Sequence, residues 1–159
     1  MQRLSHIDNF WSRYLQTLPE TERGKRYYES FSFGNTPKSA DSLARLVLDG
    51  AKAATSMLLW ELEAQQKPLW HVGDASIVLD GNRIAVGVIE TTEIRVQPFN
   101  SVDSQFAYDY GEGERTLAWW QVAMWEYYGE VCQNLGKQVA QDMPLICERF
   151  KLIFPIQIG

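Results

Sequence analysis

Histidine and cysteine are scarce: 159 residues carry two of each. Cys132 and Cys147 lack the CxxC or Cys/His spacing of a metal site, and two thiols of this kind read as small buried hydrophobes, without a bridge or a reactive role. No metal and no organic cofactor is expected. Positive charge is also short, with 15 Lys and Arg against 20 Asp and Glu, a net charge of -5 at pH 7 and an isoelectric point near 5.0. That balance excludes a protein that coats a polyanion through a broad basic face. Any contact with nucleic acid must be local. No apolar run reaches the length of a bilayer span, and the amphipathic, charged start "MQRLSHIDNFWSRYLQTL" lacks the apolar core and small-residue cleavage site of a secretory leader. A cytoplasmic location with no membrane partner is the expectation.

Repeats, low-complexity stretches and Gly/Ser linkers are missing as well, so nothing marks a domain boundary. What is present is a core-forming composition: 45% hydrophobic and 13% aromatic, far from that of a disordered chain. A single domain over 1–159 is expected, with an N-terminal helical segment to about residue 35 and a barrel with an inserted helix over about 36–159.

Helical spacing of Ile7, Phe10, Trp11, Tyr14, Leu15 and Leu18 predicts a helix over Ser5 to Leu18. Glu20 to Ser30 suggests a second, short one. Within it "RGKRYYESF" sets Arg23, Lys25 and Arg26 before Tyr27 and Tyr28, the pattern of a solvated face with inward tyrosines or, alternatively, of a phosphate and base contact. Thr36-Pro37 opens the next helix and Asp49-Gly50 stops it. "ATSMLLWE" reads as a strand, and Asp80-Gly81-Asn82 joins "ASIVL" to "RIAVGVIETTEIRV" as a hairpin. Beyond Pro98 come a short helix and a Gly-punctuated acidic loop. Thr116 then caps a long helix to about Leu135, with Leu117, Trp120, Met124, Tyr127, Tyr128 and Val131 inward and Gly136 as its terminator. "PLICERFKLIFPIQI" closes the chain as a strand. Such an order predicts an α+β fold built on a small antiparallel β-barrel, with flanking helices and one long inserted helix.

One lysine, Lys52 in "DGAKAATSMLLW", stands among small residues just past a helix end. The segment "GAKAATS" resembles the Gly-x-Lys-x-x-Thr motif of the ASCH domain family, with Gly50, Lys52 and Thr55 in its places. "FWSRYL", "ADSLARLVLDGAKAAT", "VGDASIVLDG", "VIETTEI", "PFNSVDSQFAYDYGEGERTLAWW" and "CERFKLIFP" follow the order of that family's bacterial branch, over most of residues 10 to 155. The resemblance implies a PUA-like barrel whose motif lines a cleft for RNA or a nucleoside. Some family members hydrolyse the amide of N4-acylated cytidines with a Lys, a Thr and a Glu, and others are reported as ribonucleases.

Carried onto this chain, the trio is Lys52 as base, Thr55 as nucleophile and Glu112 as proton shuttle, with Glu114 and Glu90 as alternate acids. A hydroxyl needs a base to become nucleophilic, and a desolvated lysine of lowered pKa can serve. Residues three apart on a regular strand face opposite sides, so Lys52 and Thr55 converge only where the chain bends at Ala53-Ala54. Gly50, Lys52, Thr55, Ser56 and Tyr110 would contact the ligand. The chain departs from the family where "YGEGE" puts Tyr110 in place of the usual first acid, where Met124 replaces a common His, and where Trp70-His71 replaces Leu-Pro. The first expectation is a module binding RNA or a modified nucleoside, the second an amidohydrolase, the third a ribonuclease. No protein partner is indicated.

Overall fold

The computed structural model describes residues 2–155; Ile156 to Ile158 of the expected closing strand lie outside them. Among the described residues five strands and five α-helices make an α+β fold. In chain order they are α1 (Gln2–Gln16), β1 (Tyr27–Phe31), α2 (Pro37–Leu48), β2 (Ala54–Leu58), α3 (Leu59–Gln65), β3 (Ala75–Leu79), β4 (Ala85–Pro98), α4 (Ser104–Tyr110), α5 (Leu117–Leu135) and β5 (Pro144–Phe154). The sheet runs β1-β3-β4-β5-β2.

This sheet is mixed, and it corrects the expected antiparallel barrel. β1 lies parallel to β3, with Ser30 opposite Ile77 and Phe31 opposite Val78. Parallel neighbours cannot be joined by a tight turn, and the chain between them carries α2, β2 and α3 before it returns. β1 and β2 are the two ends of the strand order, and the pairing among the described residues does not close. β1 also takes over the last four residues, Tyr27 to Ser30, of the helix expected over Glu20 to Ser30. Only a short 3-10 turn forms, at Glu20–Glu22, because the aromatic "YYESF" pairs with a strand far along the chain. "ATSMLLWE" is likewise divided, with β2 ending at Leu58 and α3 beginning at Leu59.

The chain forms two compact units. The first comprises the described residues to Gly50, His71–Thr92 and Phe150 onward; the second comprises Ala51–Trp70 and Glu93–Arg149. In the first, α1 lays Phe10 and Tyr14 on Ala75, Ile77 and Val88, while α2 lays Ala44 and Val47 on Val78, Ile89 and Phe150. Thr36 caps α2 by accepting from the Ser39 N–H at 3.1 Å, and the Ser39 hydroxyl in turn accepts from the Thr36 N–H at 3.0 Å. Thr36→Ala removes this reciprocal cap and is expected to cost about 1 kcal/mol in urea unfolding. The hairpin turn is held by Asp80, whose Oδ1 accepts from the Asn82 and Ile84 N–H groups at 2.8 and 2.9 Å.

In the second unit α5 buries Trp120, Met124, Tyr128 and Cys132, one residue per turn, against Ala54, Leu58, Phe106, Tyr110 and Leu145. Tyr127, expected inward, is 41% exposed because it lies off that stripe. Thr116 accepts from the Trp119 N–H at 3.2 Å, and Gly136 ends the helix at φ +69°.

Candidate functional site

Lys52 leaves the end of α2 by way of Gly50, whose φ of +82° turns the chain, and its side chain goes inward in the second unit. None of that side chain is exposed. Its ammonium donates to the Ala54 carbonyl at 2.7 Å and the Tyr110 carbonyl at 3.2 Å, and it pairs with Glu112 Oε2 at 2.8 Å. The Tyr110 ring supplies a cation-π contact, with the amine 3.8 Å from its centroid. Desolvation pulls the Lys52 pKa below its ordinary value, while Glu112 and, more weakly, Glu148 act to raise it.

The acidic loop after α4 makes this burial possible. Gly111 has φ +75°, and a Cβ there would run into the Ala51 carbonyl and the Lys52 Cα. The loop therefore lies directly on the Ala51-Lys52 backbone. A Cβ on Gly113 would overlap the Trp119 ring. Arg115 fastens the loop further, its Nε donating to the Tyr108 carbonyl at 3.0 Å and a terminal N–H to the Ala51 carbonyl at 3.2 Å. From α4 the Asp109 carbonyl accepts the Ala53 N–H at 2.8 Å. These contacts bend Ala51-Ala53 away from strand geometry before β2 begins at Ala54.

Hydroxyl groups gather beyond the amine. Ser56 lies 3.2 Å from the Tyr110 hydroxyl and 2.5 Å from that of Tyr128, and Thr55 also hydrogen-bonds the Tyr110 phenol. Burial raises the pKa of both tyrosines, so they remain neutral phenols at physiological pH. Tyr110 therefore brings a ring face and a hydroxyl, and no negative charge, to the end of α4.

Lys52, Thr55, Ser56, Tyr110 and Glu112 come together in the second unit, while Glu114 is exposed in the same loop. Gly50 and Glu90 belong to the first unit. Glu90, expected as an alternate acid, pairs there with Lys25 and with Lys151, the latter at 3.3 Å. His71 is also in that unit, its N–H donating to buried Asp74 at 2.8 Å. Two contributors escaped sequence reasoning. Glu148 faces Thr55 across β2 and β5 and is 7% exposed; its alternation along "CERFK" was the available signal. Tyr128 lies on the apolar face of α5, and nothing in a helical apolar stripe reveals where a phenol points.

The ASCH domain family model matches residues 29–154 of this chain. The chain belongs to the ASCH domain family. This ASCH domain is similar to the crystal structure of an ASCH domain from Lactobacillus crispatus JV V101, at 27% identity over 93% of this chain and 94% of that one, with a TM-score of 0.87. It is also similar to a protein from Enterococcus faecalis V583, at 25% identity over 94% of this chain and 89% of that one, with a TM-score of 0.82. No curated protein matches it in sequence. Among the described residues no helix is long and apolar enough to cross a membrane.

Proposed function

We propose that this ASCH domain binds a nucleoside, or a few unpaired RNA nucleotides, at the group formed by Lys52, Glu112 and Thr55. The observation that carries this reading is the difference in exposure within the ion pair: the Lys52 side chain is fully covered, whereas Glu112 is 21% exposed. Lys52, whose bonds are all to the protein, is not a phosphate contact. It acts through Glu112, holding the carboxylate in place. A carboxylate so held accepts hydrogen bonds from the exocyclic amine of cytosine, and the half-buried Thr55 hydroxyl reaches a base edge. The net charge of -5 favours a small ligand over a long duplex.

The lowered Lys52 pKa and the hydroxyls beside it favour a second reading, amide hydrolysis of N4-acylated cytidine. Neutral Lys52 would take the Thr55 proton as the oxygen attacks the acyl carbon. Glu112 would relay a proton to the departing N4, and water would then release the acid from the acyl ester, restoring the Thr55 hydroxyl. Ribonuclease action has less support, since no histidine lies in the second unit and phosphodiester cleavage needs an acid-base pair.

Titration calorimetry with cytidine and chromatography after incubation with N4-acetylcytidine test both readings. Cytidine is expected to bind, with Thr55→Ala weakening it by about fivefold, the worth of one hydrogen bond. Release of cytidine by the wild type and not by Thr55→Ala would put the hydrolase first. No binding of cytidine, N4-acetylcytidine or a short cytidine oligonucleotide would overturn both.

A further inference from the structure

A second feature of the same unit lies outside the lysine group. A cleft opens between the outer part of β4, the start of α4 and β5, lined among others by Glu93, Arg95, Gln97, Ser101, Asp103 and Arg149. Its charged groups are tied to one another. Glu93 takes the Arg95 Nε on one oxygen at 2.7 Å and Arg149 on the other at 3.2 Å. The Arg149 Nε donates to Asp109 at 3.0 Å, its guanidinium lying 5.3 Å from the Phe106 centroid. Asp103 accepts the Phe106 N–H through one oxygen at 2.9 Å.

Two carboxylates and two guanidiniums of the lining cancel. Cys147, also in the lining, adds no charge, because burial pushes its thiol up to about 11. A cleft of this balance gives no net attraction to a phosphate, and with Asp109 behind Arg149 it opposes one. Hydrogen-bonding capacity is nevertheless left over: among the described residues the terminal nitrogens of Arg95 and the second oxygen of Asp103 have no partner. Fixed acceptors next to fixed donors suit groups that both donate and accept, which are hydroxyls. Vicinal hydroxyls suit them best, since one can donate to a carboxylate while its neighbour accepts from a guanidinium.

We propose that this cleft binds the ribose hydroxyls of the nucleoside ligand and makes the protein selective for ribo- over deoxyribonucleosides. Taking the hydroxyls to be those of ribose rests on the nucleoside reading above. Asp109 links the two sites, since its carbonyl holds Ala53 beside Lys52 while its carboxylate holds Arg149.

The test compares cytidine with 2′-deoxycytidine by calorimetry, in the wild type and in Arg95→Gln, whose side chain is 71% exposed and whose replacement leaves the core intact. In parallel, methyl β-D-ribofuranoside, which has no base, is titrated while the Nε–H resonances of Arg95 and Arg149 are followed by NMR. Cytidine is expected to bind about tenfold tighter than 2′-deoxycytidine, the worth of one hydrogen bond to a charged group. Arg95→Gln should reduce that ratio towards one, and the riboside should shift both arginine signals. Equal wild-type affinities overturn the ribose site and leave the base site standing. If neither nucleoside binds and the riboside still moves the arginine signals, the base site fails and the sugar site stands. If nothing binds and nothing shifts, both fail.

Discussion

Glu112→Gln is expected to lower the unfolding free energy by about 2 to 3 kcal/mol at pH 7, below the range of about 3 to 5 for breaking a fully buried pair. The discount has two causes: Glu112 is 21% exposed, and the two backbone carbonyls and the Tyr110 ring still face the amine. What makes the loss large is that Lys52 has no exposed surface through which water can replace the carboxylate. The loss should also depend on pH. Lys52 already has a folded pKa below its unfolded value of 10.5, and removing Glu112 lowers it further. At pH values below the variant's folded pKa the amine is charged in both proteins, and the deficit is at its full size. As pH rises through the variant's folded pKa, the variant's native amine releases its proton while the unfolded chain keeps it, so the variant regains stability. The deficit closes by the wild-type folded pKa, which lies below 10.5. Urea unfolding of both proteins from pH 6 to 10 measures this difference, and a deficit constant with pH would show that Glu112 does not act through the charge of Lys52.

Gly111→Ala should be strongly destabilising, for two reasons that add. Holding φ at +75° costs an L-residue about 1 to 2 kcal/mol. The added methyl would also meet the Ala51 carbonyl and come within 2.6 Å of the Lys52 Cα. Both obstacles are backbone, so neither can rotate away. A total of about 3 kcal/mol or more is expected, which lowers the melting temperature of a chain this size by roughly 6 to 12 °C. Gly50→Ala is the control. Its φ of +82° is as unfavourable, but a Cβ there meets nothing within 4 Å, so only the conformational cost of about 1 to 2 kcal/mol applies. Thermal unfolding followed by circular dichroism separates them. Equal drops for the two variants would mean that the approach of the acidic loop to Lys52 is not close.

Together these variants separate two ways of disturbing one amine. Glu112→Gln leaves the cover in place and removes the charge, whereas Gly111→Ala keeps the charge and forces the cover to shift. If Lys52 acts on a ligand through Glu112, both should weaken cytidine binding, and only the first should regain stability at high pH.

Local chemistry of the chain was enough to determine the elements whose causes are local. Thr36-Pro37 and Asp49-Gly50 bracket α2, Asp80-Gly81-Asn82 makes the hairpin, and Thr116 and Gly136 bound α5, because caps and turns are settled within a few residues. The motif Gly50, Lys52, Thr55 and the acidic loop were legible in the same way, as was membership of the ASCH family. Tertiary structure decided the rest. β1 became a strand, not a helix, because its partner β3 begins 48 positions later, at Ala75 opposite Tyr27. Parallel pairing at that distance leaves no local signature. Glu90 went to Lys25 and Lys151, and the carboxylate at Lys52 came from Glu112, 60 positions further on, a choice made by strand register and loop packing. Whether Lys52 met solvent or protein was beyond any local signal. A glycine in the left-handed region let one backbone lie on another, and that contact is what covers the lysine.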